Sequence, residues 1–204
     1  MKLYFTPGSP YARMSRIVVI EKKLGRRVQL VVAKTRHVDS PYYKLNPSGR
    51  VPYLARDDGV GIEGSTVICA YLDQIDGEPT LATPQGADAW EARRLEASAQ
   101  STLEGLAVWA RELCRPESER SPTAIAHEMA RAVRMLDFWE QSAEHPLLVG
   151  PLNMLQIVLA CALGLEARTF GTHWHAAHPN LGRWYSAVSR RPSLIATRPP
   201  ARAA

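Results

Sequence analysis

The spacing of apolar residues changes part-way along the chain. Over roughly the first eighty residues, short β-rich runs alternate with helical stretches; afterwards every apolar pattern repeats near 3.6. "KLYFT" (2–6) predicts a strand, ended by Pro7-Gly8. Ser9-Pro10 is a helix start, with a hydroxyl at the N-cap and proline at the first helical position. Tyr11, Met14, Ile17, Val18 and Leu24 share one helical face, and Gly25 is the expected stop. "RVQLVV" (27–32) predicts a second strand, and the β-α-β order makes the two strands parallel. "VPYLAR" and "VGIE", joined by Asp57-Asp58-Gly59, predict an antiparallel hairpin. From Ser65 a second helix carries Val67, Ile68, Tyr71, Leu72 and Ile75 and ends near Gly77.

"GEPTLATPQG" (77–86) is rich in Gly, Pro and Thr and reads as a linker over 78–86. It divides an α+β region, 1–77, from an all-helical region, 87–204. In the latter, "ADAWEARRLEASAQSTLEGLAVWARELC" and "TAIAHEMARAVRMLDFWEQSA" are long amphipathic helices. "MLQIVLACALGL" (154–165) is apolar nearly all round, which predicts a buried helix; it is too short to span a bilayer and carries Gln156. "NLGRWYSAVSRR" is a last amphipathic helix before a Pro/Arg/Ala tail.

Composition narrows the class. The 204 residues are 46% hydrophobic, enough for compact domains with a core. "TPGSPYARMSR" lies within the first twenty residues, so no secretory signal is expected, and a cytoplasmic protein without a membrane partner is the default. Cys69, Cys114 and Cys161 are odd in number and lack a C-x-x-C pair, so reduced, mostly buried thiols are expected. The net charge of +5 is uneven: residues 1–80 hold 12 Lys/Arg against 8 Asp/Glu, and residues 81–204 hold 13 against 12. The first region therefore attracts anions, yet no basic run with interleaved aromatics points to nucleic acid.

"NPSGRVPYL" places Pro52 where a strand should begin, although proline cannot donate to a β-ladder. Two readings stand. A trans proline can cap an edge strand, or a cis proline can turn the Val51 N–H and C=O toward an extended peptide ligand. The order β-α-β then β-β-α resembles a thioredoxin-like domain, where the third strand opens with a cis proline. "NPSGRVPYL", "IEGSTVICAYLD" and "HPNLGRWYSAVSRRPSLIATRP" together resemble the glutathione S-transferase superfamily, over almost the whole chain. "SPYARMSRIV" is similar to the serine-bearing S-P-F/Y type of bacterial members. The resemblance implies an α+β thioredoxin-like domain holding glutathione as co-substrate, an all-α domain shaping a pocket for a small hydrophobic electrophile, a detoxifying transferase activity and a homodimer.

On that resemblance Ser9 is the candidate catalytic residue. A free thiol with pKa about 8.5 is only about 3% thiolate at pH 7, and lowering it two units requires about 2.7 kcal/mol. A hydroxyl donating to sulfur at a helix N-terminus can supply about 1.5–3 kcal/mol. Ser9 would stabilise the thiolate rather than act as nucleophile; its simpler role is an N-cap. Tyr4 is the competitor, and Thr6 is weaker. Serine in place of cysteine cannot form a mixed disulfide, so conjugation, isomerisation or reduction is expected over deglutathionylation. Val51 and Pro52 would pair with the tripeptide backbone, and Ser65 would meet its γ-glutamyl carboxylate. Members of the family usually place an acid directly before that serine; here Gly64 stands there, with Glu63 one earlier. Lys34 and Arg50 are candidates for the glycyl carboxylate or are plain surface charges, and His37 lies nearby. Tyr11 and Trp109 are candidates for the electrophile pocket. Asn153-x-x-Gln156 resembles a capping box with a structural role. His173, His175 and His178 lack metal-ligand spacing, so no metal is expected. A non-catalytic regulatory protein of the same fold, and a glutathione-dependent lyase, dehalogenase or isomerase, are the alternatives.

Overall fold

The computed structural model describes residues 1–82 and 89–200. Contacts divide the chain into two units: Met1–Ala82 together with the segment beginning at Pro192, and a second unit ending at Arg191.

The first unit contains β1 (Lys2–Phe5), α1 (Pro10–Glu21), β2 (Gln29–Val32), α2 (Tyr42–Leu45), β3 (Tyr53–Ala55), β4 (Gly61–Glu63) and α3 (Ser65–Gln74). Its sheet has the order β2-β1-β3-β4. β1 and β2 are parallel, and β3 is antiparallel to both β1 and β4. This is the thioredoxin-like arrangement expected from the strand and helix order. Leu3 and Phe5 are buried on one sheet face, while the intervening Tyr4 packs against Tyr42 and Tyr53 on the other. Met14, Ile17 and Val18 of α1 are fully buried, as their common face requires.

Helix α1 stops earlier than Gly25. It ends at Glu21; Lys23 takes a left-handed conformation (φ 54°) and a 3-10 turn at Leu24–Arg26 returns Leu24 to the core. Sequence reasoning also missed α2, whose four residues are too short to show a period. The start of the expected linker is tied down. The buried Asp73 carboxylate accepts from the amides of Thr80 (3.1 Å) and Leu81 (3.0 Å) and lies 3.5 Å from the Lys22 ammonium. Residues 83–86 of that linker, with 87–88 and the tail at 201–204, lie outside the described residues.

The second unit holds α4 (Ala89–Leu113), α5 (Pro122–Ser142), α6 (Pro146–Val149), α7 (Met154–Leu163), α8 (Trp174–Ala177) and α9 (Pro179–Val188). All ten residues of α7 are buried, as its apolar circumference demands, and α4 packs along it. Trp139 is fully enclosed and donates its indole N–H to Thr102 (3.0 Å). The last helix, α10 (Pro192–Ala196), belongs to the first unit. The buried Arg13 guanidinium of α1 donates to the Leu194 carbonyl (3.1 Å) and the Thr197 hydroxyl (3.4 Å), and Ser193 donates to Glu21.

Candidate functional site

The ladder registers gather most of the expected site residues at one end of the sheet. Tyr4 pairs with Tyr53, Tyr53 with Glu63, and Phe5 with Val32. The exit of β1 toward Ser9, the entry to β3 from Val51, the exit of β4 toward Ser65 and the exit of β2 toward Lys34 therefore share that end. In open α/β sheets this is the end at which ligands bind.

Ser9 is the N-cap of α1, in extended conformation, and its Oγ accepts from the Ala12 amide (3.2 Å). Its own amide donates to the Thr6 carbonyl (3.1 Å), which sets the turn out of β1. The O–H has no acceptor among the described residues. The hydroxyl thus caps the helix with one capacity and keeps the other. Tyr4, its rival, is held in the tyrosine cluster with ring centroids 5.6 Å from Tyr42 and 6.3 Å from Tyr53. Tyr11 is half-buried on the first turn of α1.

The Val51–Pro52 peptide bond is cis. The β1–β3 ladder ends at Tyr53, so Val51 lies outside it. Two residues that sequence reasoning did not single out fix the approach to Val51. The buried Asn46 amide donates to the Arg50 carbonyl (3.0 Å), and the buried Tyr42 hydroxyl donates to the same oxygen. Burial pushes the Tyr42 phenol above its ordinary pKa, which keeps it a donor. Both residues stand in "YYKLNP", but neither belongs to a hydrophobic period or a cap pattern that would single it out. Gly49 completes the turn at φ 67°; a β-carbon there would stand 2.7 Å from the Tyr43 ring.

Helix α3 begins otherwise. Gly64 is its N-cap, at φ 90°, with no side-chain cap, and Ser65 is the first helical residue. Ser65 is buried to 8% exposure, yet its hydroxyl has no partner among the described residues. The glycine before Ser65 is thus the residue that a positive φ favours. The Glu63 carboxylate is taken up by the Ser48 hydroxyl, which ties β4 to the 46–50 turn. Arg50 is exposed at the edge of the site. Lys34 also is exposed, and it lines a cleft with Tyr4, Ser40, Pro41, Tyr42 and Leu45.

In the second unit Trp109 is buried within an aromatic row: its ring lies 5.8 Å from Phe170, which lies 6.1 Å from Trp174. Phe170 was not anticipated, because it falls between helices and belongs to no period. The histidines are committed singly. His175 meets Glu166 (3.0 Å), nine residues earlier, and His178 meets Asp137 (2.9 Å), 41 residues earlier. Among the described residues no three His, Cys, Asp or Glu side chains converge. Asn153 caps α7 through Gln156 N (3.2 Å), but Gln156 does not close the capping box. Its amide instead donates to the carbonyls of Leu147 (3.0 Å) and Pro151 (2.9 Å) and holds the preceding loop.

The family model for the glutathione S-transferase N-terminal domain matches residues 3–80. The chain is similar to a glutathione transferase family member from Pseudomonas fluorescens Pf-5, solved with bound glutathione. The two are 31% identical with a TM-score of 0.87, covering 98% of this chain and 99% of the other. A glutathione S-transferase from Methylobacillus flagellatus, solved with glutathione bound, is 32% identical with a TM-score of 0.85 over the same shares. An uncharacterised transferase-like protein, YibF, of Escherichia coli strain K12 is 26% identical over 202 residues, 98% of this chain and 99% of its own.

Proposed function

The chain belongs to the glutathione S-transferase superfamily, and from that premise we propose that it is a glutathione transferase in which Ser9 stabilises the bound thiolate for attack on a hydrophobic electrophile. The observation that carries the reading is the state of the Ser9 hydroxyl. Its oxygen accepts from the helix, and its proton has no acceptor among the described residues. A sulfur anion at the start of α1 would receive that proton donor in a field already favourable to negative charge.

The other residues take complementary roles. Val51, outside the ladder and held by Asn46 and Tyr42 through Arg50, offers its backbone to the cysteinyl residue of an extended tripeptide. Ser65 and the uncapped first amides of α3 receive the γ-glutamyl carboxylate. Arg50 is the cation for the glycyl carboxylate; Glu63 keeps its contact with Ser48. The first unit's excess of basic residues draws in a tripeptide of net negative charge.

The test is a steady-state assay with glutathione and chlorodinitrobenzene, coupled to ultraviolet titration of bound thiolate. Wild-type protein should conjugate and should hold the thiol mostly ionised at pH 7. Absence of conjugation across a panel of aryl halides, enones and epoxides, with no retention on immobilised glutathione, would defeat the reading and favour the regulatory alternative.

A further inference from the structure

The second unit carries a pocket of its own, where the chain leaves α5, passes through α6 and later runs along α9. Its volume is about 470 Å³, within the range of about 300–1,000 Å³ that small-molecule sites occupy. Ala143, Leu148, Trp184 and Val188 supply its apolar wall and are buried. The Trp184 indole N–H is spent on the Leu148 carbonyl (2.9 Å), so the ring offers the pocket an apolar surface. The lining includes none of the candidate glutathione-site residues and none of the Trp109–Phe170–Trp174 row. That row meets α9 through Tyr185 instead, 6.0 Å from Trp174.

Three kinds of polar group meet in the same lining. Gln156 is only 5% exposed, and its Nε2 donates to the carbonyls of Leu147 (3.0 Å), Gly150 (3.2 Å) and Pro151 (2.9 Å), which fixes the orientation of the amide. Its Oε1 has no partner among the described residues and is not fully enclosed. A buried acceptor of this kind costs free energy unless water or a ligand brings a donor. The Glu144 carboxylate also has no partner among the described residues. Arg183 in α9 and Arg191 just beyond it bring positive charge; Arg183 donates to the Asn180 side chain and makes no ion pair among the described residues. Both signs of charge thus stand around one apolar wall. A plain anion would meet Glu144, and a plain cation would meet two guanidiniums; a zwitterion suits both. We propose that this pocket binds a free α-amino acid with a large apolar side chain, its ammonium on Glu144 and Gln156 Oε1, its carboxylate on Arg183 and its side chain against Leu148, Trp184 and Val188. The site does not depend on the glutathione reading.

L-phenylalanine is the probe, followed by amide NMR of the isotopically labelled full chain. N-acetylphenylalanine, which lacks the ammonium, and phenylalaninamide, which lacks the carboxylate, are its matches. Saturable shifts should centre on residues 143–152 and 180–191 and should survive saturation with S-methylglutathione. The zwitterion should bind roughly two- to fivefold better than either match, as expected for one exposed ion pair at each end. Glu144→Gln should shrink the preference over N-acetylphenylalanine, and Arg183→Gln the preference over phenylalaninamide. Ala187→Trp, at an exposed position of the lining, should fill the pocket and abolish the shifts with unchanged thermal melting. No saturable shift, equal binding of the three probes, or shifts centred on Ser9 and Ser65 that S-methylglutathione displaces would each overturn the proposal.

Discussion

The two helices that start at the open end of the sheet start in opposite ways. Helix α1 has a serine N-cap whose oxygen covers the Ala12 amide; α3 has a glycine N-cap that covers nothing, with its serine one place further on. Both ends carry unpaired amides and the positive pole of a helix dipole. What differs is the work left for the serine. Ser9 is already half-spent on folding, so a ligand there meets a single O–H. The Ser65 hydroxyl has no partner among the described residues, so on the proposed reading a ligand there would meet a hydroxyl and several amides together. That suits a thiolate at the first and a carboxylate, with its two oxygens, at the second. A third solution occurs at α9, where no cap comes from its own chain neighbours. The Glu140 carboxylate of α5 accepts from the amides of Asn180 (3.1 Å) and Leu181 (2.8 Å).

Substitutions can separate these cases. The largest effect is expected at Ser9. Ser9→Ala should lower kcat/KM for conjugation by about ten- to a hundredfold, the worth of one charge-assisted hydrogen bond. It should also raise the pKa of the bound thiol and cost about 1 kcal/mol of stability through the lost cap. Normal kinetics with altered stability would leave Ser9 as a cap alone. Next comes Gly64→Ala. A β-carbon there meets only Val67 at 3.7 Å, so the penalty is conformational rather than steric. Denaturant unfolding should show a loss of about 1–3 kcal/mol, because φ 90° is costly for any residue with a side chain.

Ser65→Ala sharpens the contrast. It should leave the denaturation midpoint nearly unmoved while weakening S-methylglutathione in calorimetric titration by about three- to tenfold. Equal losses of stability in Ser9→Ala and Ser65→Ala would erase the distinction between the two helix starts. The smallest effect belongs to Glu140→Gln. Burial works to raise the Glu140 carboxyl, but the amides of Leu181 and Asn180 outweigh it and hold its pKa below the ordinary 4.5. A folded-state pKa that is depressed gives stability present above the unfolded value and lost as pH falls through the folded one. The melting difference between wild type and Glu140→Gln should therefore be constant near neutrality and shrink once the pH drops below 4.5.

Much of the first unit was legible locally. The parallel β-α-β, the hairpin at Asp57-Asp58-Gly59 and the serine-proline start of α1 each rest on residues within a few places of one another. The same holds for the buried run of α7. The parts that escaped depend on distant partners. Asn46 and Tyr42 matter because they converge on one carbonyl, which no period records. Glu140, Asp137 and Glu166 look like surface acids until the fold brings helix amides or histidines to them. The return of Pro192–Ala196 to α1 is set by a buried arginine with partners 181 and 184 residues away.

By itself the chain's order of residues determined the kind of each long element and the directions of the β-α-β and hairpin strands, and its motifs carried the resemblance to the family. Those follow from side-chain periodicity and from turn and cap chemistry, interactions that act over a few bonds. Only the tertiary structure decided that the Ser9 oxygen is taken by its own helix while the Ser65 hydroxyl has no partner among the described residues, and that Gly64 rather than Ser65 takes the cap of α3. Those outcomes turn on which donors and acceptors find each other across the fold, and a hydrogen bond's partner is chosen by position in space.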